Sequence, residues 1–257
     1  MKTKKKSIHI AWISDLHCGA LSGLTPPRYQ SDDSPQYAKP MYNWFLSEAK
    51  KCGPLDLLII NGDAIDGEGK KGTIDLLTSD ISKQVDISLE CISQFNAKKI
   101  MMTYGTPFHT VGPLSYENMI AKELKCEIYD TLFLELNGKK FSVRHVVGTS
   151  GTPYGQPTML GKALINDLIQ ALAENSESAD WVIRSHAHVY CEVGIDGRRA
   201  RITPCLQAPD GILGRRLTTW WYHIGFLEMT IDPDGRVHET QHMLPIEIVR
   251  KRNWITL

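Results

Sequence analysis

The sequence predicts an α/β fold, and three observations support this prediction. In the first half, three passes of apolar strand, polar loop and amphipathic helix follow one another, which is typical of parallel strands joined by right-handed crossovers. After the third pass the chain changes to short strands around Asn-Gly and Asp-Gly turns, which indicate antiparallel pairing. The chain has 257 residues, 42% of them hydrophobic, and no linker or repeat divides it. We therefore expect one domain over residues 1–257 with a large buried core.

The first strand organises the chain. Residues 8–19 form an apolar run rich in β-branched side chains that breaks into Asp15-Leu16-His17. The carboxyl ends of strands are where open α/β sheets bind their ligands. A long loop over 20–40 follows this run. The other elements predicted before the pattern changes are helices over 41–51, 73–95 and 114–124 and strands over 55–61 and 98–104.

The second half predicts mostly paired strands. Asn137-Gly138 lies between two apolar stretches and predicts a hairpin with arms over 126–136 and 139–147. The remaining predicted elements are a helix over 158–174, a strand over 181–184 and late strands over 192–195, 201–204, 225–231 and 236–243.

Composition excludes several classes of protein. Basic and acidic residues balance at 29 each, so the whole molecule does not require a polyanionic partner. The six cysteines include no C-x-x-C pair, which argues against a disulfide framework or a cysteine zinc site and fits a reducing compartment. The basic N-terminus lacks the pattern of a signal peptide, and no stretch approaches the ~20 apolar residues of a membrane span. We expect a cytoplasmic protein that does not contact a membrane.

Five predicted strands end in aspartate or histidine, and none of them ends in lysine, glutamate or cysteine. Imidazole and carboxylate groups suit zinc, manganese or iron, and a shared carboxylate can bridge two ions. Strand ends are rigid enough to hold such ligands in place. Any one of these histidines alone could be structural, but the coincidence at five strand ends favours a metal site. These residues are Asp15, His17, Asp63, His109, His145, His186 and His188, whereas His9, His223, His238 and His242 lie elsewhere and are interpreted as structural.

The order of these residues resembles the calcineurin-like metallophosphoesterase family. That family's signature is Asp-x-His, then Gly-Asp with a second Asp or Gly, then Gly-Asn-His, a single His, and Gly-His-x-His. The corresponding blocks here are DLH at 15–17, GDAID at 62–66, GTPFH at 105–109, His145 and SHAH at 185–188. The resemblance implies a four-layer αββα sandwich of two mixed β-sheets flanked by helices, with the late strands in the second sheet. It also implies two divalent metal ions, which would be Mn, Fe or Zn, with Mn favoured.

The resemblance also implies a role for each ligand. Asp63 would bridge the two ions, and Asp66 is interpreted as a turn residue. The first ion would be held by Asp15, His17 and His188, and the second by His145 and His186.

The third block departs from the family's pattern. In the family its asparagine is a metal ligand and its histidine helps to protonate the leaving group. Here Thr106 follows the glycine and is a candidate for weak metal contact through its hydroxyl or a water. His109 lies two residues later than the family's histidine, so it is either the displaced catalytic acid or a replacement ligand.

We expect a metal-dependent phosphoesterase. Two ions about 3.5–4 Å apart would lower the pKa of a bridging water to give a hydroxide nucleophile and would clamp a phosphoryl group for in-line attack. Arg144 and Arg184 adjoin predicted ligands and are candidate metal or substrate contacts. The predicted substrates are phosphodiesters or nucleotides, and nuclease activity is considered because basic and aromatic residues that suit single strands occur late in the chain. They are Arg198, Arg199, Arg201, Arg215, Arg216, Trp220, Trp221 and Tyr222. The alternative, favoured by the altered third block, is a non-catalytic metal-stabilised binding or scaffold protein.

Overall fold

A computed structural model describes residues 6–68, 75–107, 115–148, 150, 152–209 and 222–249. Within them, two large β-sheets face each other and four α-helices cover their outer faces. In chain order the elements are β1 (Ile8–Ile13), α1 (Ala38–Lys51), β2 (Pro54–Leu55), β3 (Leu57–Asn61), α2 (Ile81–Ile92), β4 (Asn96–Ala97), β5 (Ile100–Thr103), α3 (Glu117–Leu124), β6 (Glu127–Tyr129), β7 (Leu132–Leu136), β8 (Lys139–Val143), α4 (Gln156–Ala173), β9 (Trp181–Arg184), β10 (Cys191–Ile195), β11 (Arg198–Ile202), β12 (Gly225–Ile231) and β13 (Val237–Met243).

The first sheet has the strand order β13-β12-β1-β3-β5-β6. Strands β1, β3, β5 and β6 are parallel, whereas β12 runs antiparallel to β1 and to β13. Because β1, β3 and β5 are parallel, their carboxyl ends share one edge of the sheet. The segments that leave this edge contain Asp15, Asp63 and Thr106.

The second sheet has the strand order β10-β11-β9-β8-β7. Its central strands β8, β9 and β11 are parallel, and β7 and β10 run antiparallel to their neighbours. The segments that follow β8 and β9 contain His145 and His186. Both sheets are therefore mixed, as predicted.

Apolar side chains define four layers. Trp12, Ile59 and Phe141 belong to the core between the two sheets. Helices α1, α2 and α3 pack on the outer face of the first sheet, and α4 packs on the outer face of the second. This arrangement confirms the predicted αββα sandwich. No helix in the described ranges is both long and apolar enough to cross a membrane.

Three predicted elements differ in the structure. Helix α2 begins at Ile81 because the Asp80 carboxylate accepts hydrogen bonds from the backbone N–H groups of Ser82 and Lys83 at 2.9 and 3.3 Å, which is an N-cap. The predicted arm over 126–136 is two strands in different sheets, β6 and β7. The late strands β12 and β13 were expected in the second sheet, which was wrong. They extend the first sheet, where the apolar face of β12 continues the face of β1 toward the inter-sheet core.

Candidate metal centre

Six predicted ligands meet where the carboxyl ends of strands from both sheets converge. The ligand atoms within each of two groups lie within 4.8 Å of one another. The groups are Asp15, His17 and His188, and Asp63, His145 and His186. The structure thus brings together all six residues, with Asp63 in the same group as His145 and His186.

The two groups adjoin each other. In the first, His188 Nε2 lies 3.2 Å from Asp15 Oδ1 and 3.3 Å from His17 Nε2. In the second, His145 Nε2 lies 2.9 Å from Asp63 Oδ2. Asp15 Oδ1 is 3.8 Å from His145 Nε2, so this pair of atoms connects the groups. Asp15 and His145 are fully buried.

The ligands converge through left-handed backbone. Such a conformation is uncommon for residues other than glycine, and only nine non-glycine residues of the described ranges adopt it. Five of those nine are candidate ligands, so the conformation is concentrated at this site. Their φ angles are 51° at Asp15, 45° at His17, 50° at Asp63, 70° at His186 and 56° at His188.

Buried partners orient two of the imidazoles. His17 Nδ1 lies 2.9 Å from Asp66 Oδ1, and His145 Nδ1 lies 2.7 Å from the backbone carbonyl oxygen of Asn61. These contacts direct the Nε2 atom of each ring toward the ligand group, as is usual for metal-binding histidines. Asp66, which we had interpreted as a turn residue, is instead the carboxylate partner of His17.

Thr106 holds the carboxylate of Asp63. Its backbone N–H donates to Asp63 Oδ1 at 2.7 Å, and its hydroxyl lies 3.2 Å from both carboxylate oxygens. A Cβ on Gly105 would lie 2.0 Å from Asp63 Oδ1, so only glycine permits this approach. The Gly105 N–H donates at 2.7 Å to Glu117, a buried residue that belongs to none of the sequence motifs.

The charges at the centre are strongly coupled. Burial raises the pKa of Asp15, but His145 and His188 outweigh it and lower the pKa to about 2. Burial lowers the pKa of His145, but Asp63 and Asp15 outweigh it and raise the pKa to about 10. Burial and then Asp63 raise the pKa of Glu117 to about 7. At neutral pH and without metal, His145 is therefore protonated between two carboxylates.

The donor set fits divalent metal ions. Asp15 Oδ1 and His145 Nε2 are buried, and neither makes a hydrogen bond of acceptable geometry to another described residue. Two carboxylates and four imidazoles are the ligands that zinc, manganese and iron accept. The ligand atoms of each group lie within 4.8 Å of one another, which is close enough for one metal ion to contact all three.

Arg144 and Arg184 lie on the other face of the second sheet. The Arg184 guanidinium donates from Nη1 to the carbonyl oxygens of Ser142 and Ile183, both at 2.8 Å. With Arg144 it lines a cavity of about 460 Å³ beside α4. Successive side chains of β9 point to opposite faces of the sheet, so Arg184 faces outward because Ile183 faces the inter-sheet core.

The predicted nucleic-acid residues separate into two sets. The Arg201 Nε atom donates to Glu239 at 2.8 Å, and its guanidinium lies over the Trp181 ring at 5.1 Å, so it is committed to internal contacts. The Tyr222 ring lies edge-on to His188, with the ring centroids 5.1 Å apart. Arg198 and Arg199 lie on β11, where Arg198 donates to the Ser178 hydroxyl at 2.8 Å. His109, Arg215, Arg216, Trp220 and Trp221 are outside the described residues.

The fold and the ligand groups together define the class of this protein, a four-layer sandwich with two adjoining groups of metal ligands. No protein-family model and no curated protein matches the sequence. Among solved structures, zinc-complexed Vps29 of Entamoeba histolytica is similar, with 14% identity and a TM-score of 0.45 over 92% of this chain and 99% of the other. An archaeal phosphodiesterase is similar too, with 15% identity and a TM-score of 0.42 over 91% of this chain and 99% of the other. A predicted phosphoesterase of Streptococcus pneumoniae has 12% identity and a TM-score of 0.40 over 93% of this chain and 99% of the other. At these identities and TM-scores the function of the chain is inferred from its own residues.

Proposed function

We propose that this protein is a metal-dependent phosphoesterase of the calcineurin-like kind, which hydrolyses phosphodiester or nucleotide substrates with two divalent ions. The observation that supports this most is the contact between two three-residue ligand groups, with Asp15 Oδ1 and His145 Nε2 3.8 Å apart. When bound, two adjoining ions acidify water and clamp a phosphoryl group for in-line displacement.

Each ligand then has a specific task. The first group would hold one ion and the second group the other, with Asp63 as the shared ligand that the family resemblance implies. Thr106 fixes the Asp63 carboxylate through its N–H and hydroxyl, so it replaces by positioning the asparagine that the family uses as a ligand. Because carboxylates contribute two of the six ligands, we expect Mn²⁺ to be accepted as well as Zn²⁺.

An aromatic ring, that of Tyr222, lies at the edge of the candidate metal centre and favours a substrate with an aromatic group. The half-buried Tyr222 ring contacts the His188 ring at the edge of the first ligand group. Nucleobases stack on such rings without sequence preference. This contact supports nucleotides or phosphodiesters as substrates in preference to phosphoserine.

Hydrolysis of bis-p-nitrophenyl phosphate and p-nitrophenyl phosphate with Mn²⁺ tests the proposal. We expect diester hydrolysis that EDTA abolishes and that Asp63→Asn abolishes too. Asparagine tolerates the left-handed backbone of Asp63, so this variant should stay folded. Asp86→Asn, at an exposed position of α2, is the matched control and should retain full activity. Metal-loaded protein that is inert on both esters and on DNA would favour the non-catalytic binding protein instead.

We assign His109 the role of general acid for the leaving group. His109→Ala should keep its bound metal and lose ~10²–10⁴-fold in rate, because proton donation contributes that much. Loss of metal from this variant would make His109 a ligand, and an unchanged rate with unchanged metal content would exclude both roles.

A further inference from the structure

A third cluster of metal-binding side chains lies away from the candidate metal centre, where the end of α1 meets β12 and β13. It consists of Cys52, Glu228 and His242, whose ligand atoms all lie within 4.8 Å of one another. Glu228 is paired with Ala11 in the middle of β1. This position is four residues before Asp15, or about 13 Å along the strand.

The spacing of these atoms fits one small tetrahedral ion. Cys52 Sγ lies 3.8 Å from His242 Nε2, and bonds of about 2.3 Å to sulfur and 2.0 Å to nitrogen would place the two atoms about 3.5 Å apart. His242 Nε2 lies 2.7 Å from Glu228 Oε2, and about 3.3 Å is the corresponding tetrahedral separation. A shift of about half an ångström in Glu228, whose side chain is partly exposed, brings it to that separation from His242.

Surrounding groups orient His242 for this role. Its Nδ1 atom lies 2.9 Å from Glu48 Oε2, which directs Nε2 toward Cys52 and Glu228. A carboxylate behind a ligating imidazole is the usual support of a zinc-bound histidine. The ring also stacks on Phe226, with centroids 4.4 Å apart and an angle of 12° between the planes. A further donor, His9 Nε2, contacts the other carboxylate oxygen of Glu228.

The chemistry of the three donors selects the metal. Thiolate, imidazole and carboxylate together suit zinc, which is borderline-soft and accepts all three. Cys52 and His242 are only 4% and 8% exposed, so two of the three donors are shielded from water. We propose that Cys52, Glu228 and His242 bind one zinc ion, which joins the end of α1 to the β12–β13 pair.

A metal-free arrangement makes a different prediction. A protonated His242 shared between Glu48 and Glu228 would satisfy both carboxylates without zinc, and Cys52 would then remain a thiol. Cobalt distinguishes the two states, because a thiolate bound to Co²⁺ gives a near-ultraviolet charge-transfer band. The candidate metal centre has only nitrogen and oxygen ligands and should give no such band.

We would titrate Co²⁺ into chelator-treated protein and measure this band, then displace the cobalt with zinc. We expect the band to reach the intensity of one thiolate-bound cobalt per chain, to disappear in Cys52→Ser and to persist in Asp63→Asn. Cys205→Ser is the matched control, because the Cys205 thiol lies beside His188 at the other site. Absence of the band in the wild-type protein, or its survival in Cys52→Ser, would overturn the proposal.

A second pair of variants leaves all three donors in place. Glu48→Gln should weaken zinc binding by about 10–100-fold, because a partner of this kind contributes that much to metal affinity. Lys51→Gln removes only the ion pair between Lys51 and Glu48 at the surface and should leave zinc affinity unchanged. Equal zinc affinity in both variants and the wild type would contradict the proposal that Glu48 supports His242 as a zinc ligand. This comparison also remains informative if Cys52→Ser does not fold.

Discussion

The Nδ1 atom of His17 lies 2.9 Å from Oδ1 of Asp66, and both side chains are buried. This contact makes the segment after β3 supply two carboxylates with different tasks. Asp63 faces the ligand groups directly, whereas Asp66 acts on them only through an imidazole. The candidate centre therefore depends on residues that would never touch a metal ion.

Asp66→Asn tests this dependence. Asparagine can still contact His17, but it lacks the charge that raises the basicity of the ring, so we expect metal affinity at the first group to fall by about 10–100-fold. Calorimetric titration with Mn²⁺ would measure the change, with Asp86→Asn as the control. Unchanged metal affinity would show that Asp66 does not support His17 and is only a turn residue.

Metal binding should release protons. His145 has a pKa of about 10 in the metal-free protein because Asp63 and Asp15 outweigh its burial, so an ion must displace a proton at pH 7. We expect affinity to rise about tenfold per pH unit below that pKa. Titrations in two buffers of different ionisation enthalpy would count the protons. A count of zero at pH 7 would show that His145 is already neutral.

The metal-free fold should depend on pH in the opposite sense. The pKa of His145 is higher in the folded chain, about 10, than its ordinary value of 6.5. Its stabilising contribution is therefore complete below about pH 6.5 and is lost as the pH rises toward 10. Thermal melts with EDTA over this range should show a falling Tm, and the fall should be smaller in His145→Gln.

Gly105→Ala should damage the centre. The added Cβ would lie 2.0 Å from Asp63 Oδ1 and 2.4 Å from the Asp63 backbone nitrogen, so the carboxylate and the backbone that carries it must both move. We expect loss of metal from the second group and of diester hydrolysis. Gly161→Ala, inside α4 with only Val193 near the new methyl group, is the control. It should stabilise the protein by about 0.5–1 kcal/mol and keep activity.

Arg184→Gln should change stability and leave catalysis intact. Its guanidinium bonds to backbone carbonyls on the outer face of the second sheet, so its removal leaves the buried carbonyl of Ser142 with one donor fewer. The expected loss is about 1–3 kcal/mol in the free energy of unfolding, with kcat/KM unchanged. Arg144→Gln, at an exposed position, should change stability by less than about 0.5 kcal/mol. A selective fall in kcat/KM would place Arg184 in the active site after all.

The sequence predicted the candidate ligands where an aspartate or a histidine directly follows a strand. Asp15 and Asp63 follow neighbouring parallel strands, which predicts that they meet at one edge of the first sheet. His145 follows β8 of the other sheet, and its place beside them was implied by the family resemblance. The parallel sheet and its outer helices followed from three strand–helix passes, whereas the second sheet of the sandwich was implied by the family resemblance.

Other features depend on contacts that sequence spacing does not encode. Arg184 alternates with Ile183, but which of the two faces the site depends on how the sheets pack. Strand β12 could have joined either sheet, and only its pairing with β1 decides between them. Asp66 looked like a turn residue because its partner, His17, lies 49 positions away.

Left-handed backbone at five of the six candidate ligands links the free energy of unfolding to the geometry of the metal centre. Each such residue costs the folded chain roughly 1–3 kcal/mol, a penalty that glycine does not incur. The geometry for metal is thus set during folding, so an arriving ion need not reorganise the loops. It also follows that glycine at these positions would remove a ligand and relieve the strain together. A variant of this chain with glycine at these positions could therefore lose its metal ligands, keep its sandwich and gain thermal tolerance.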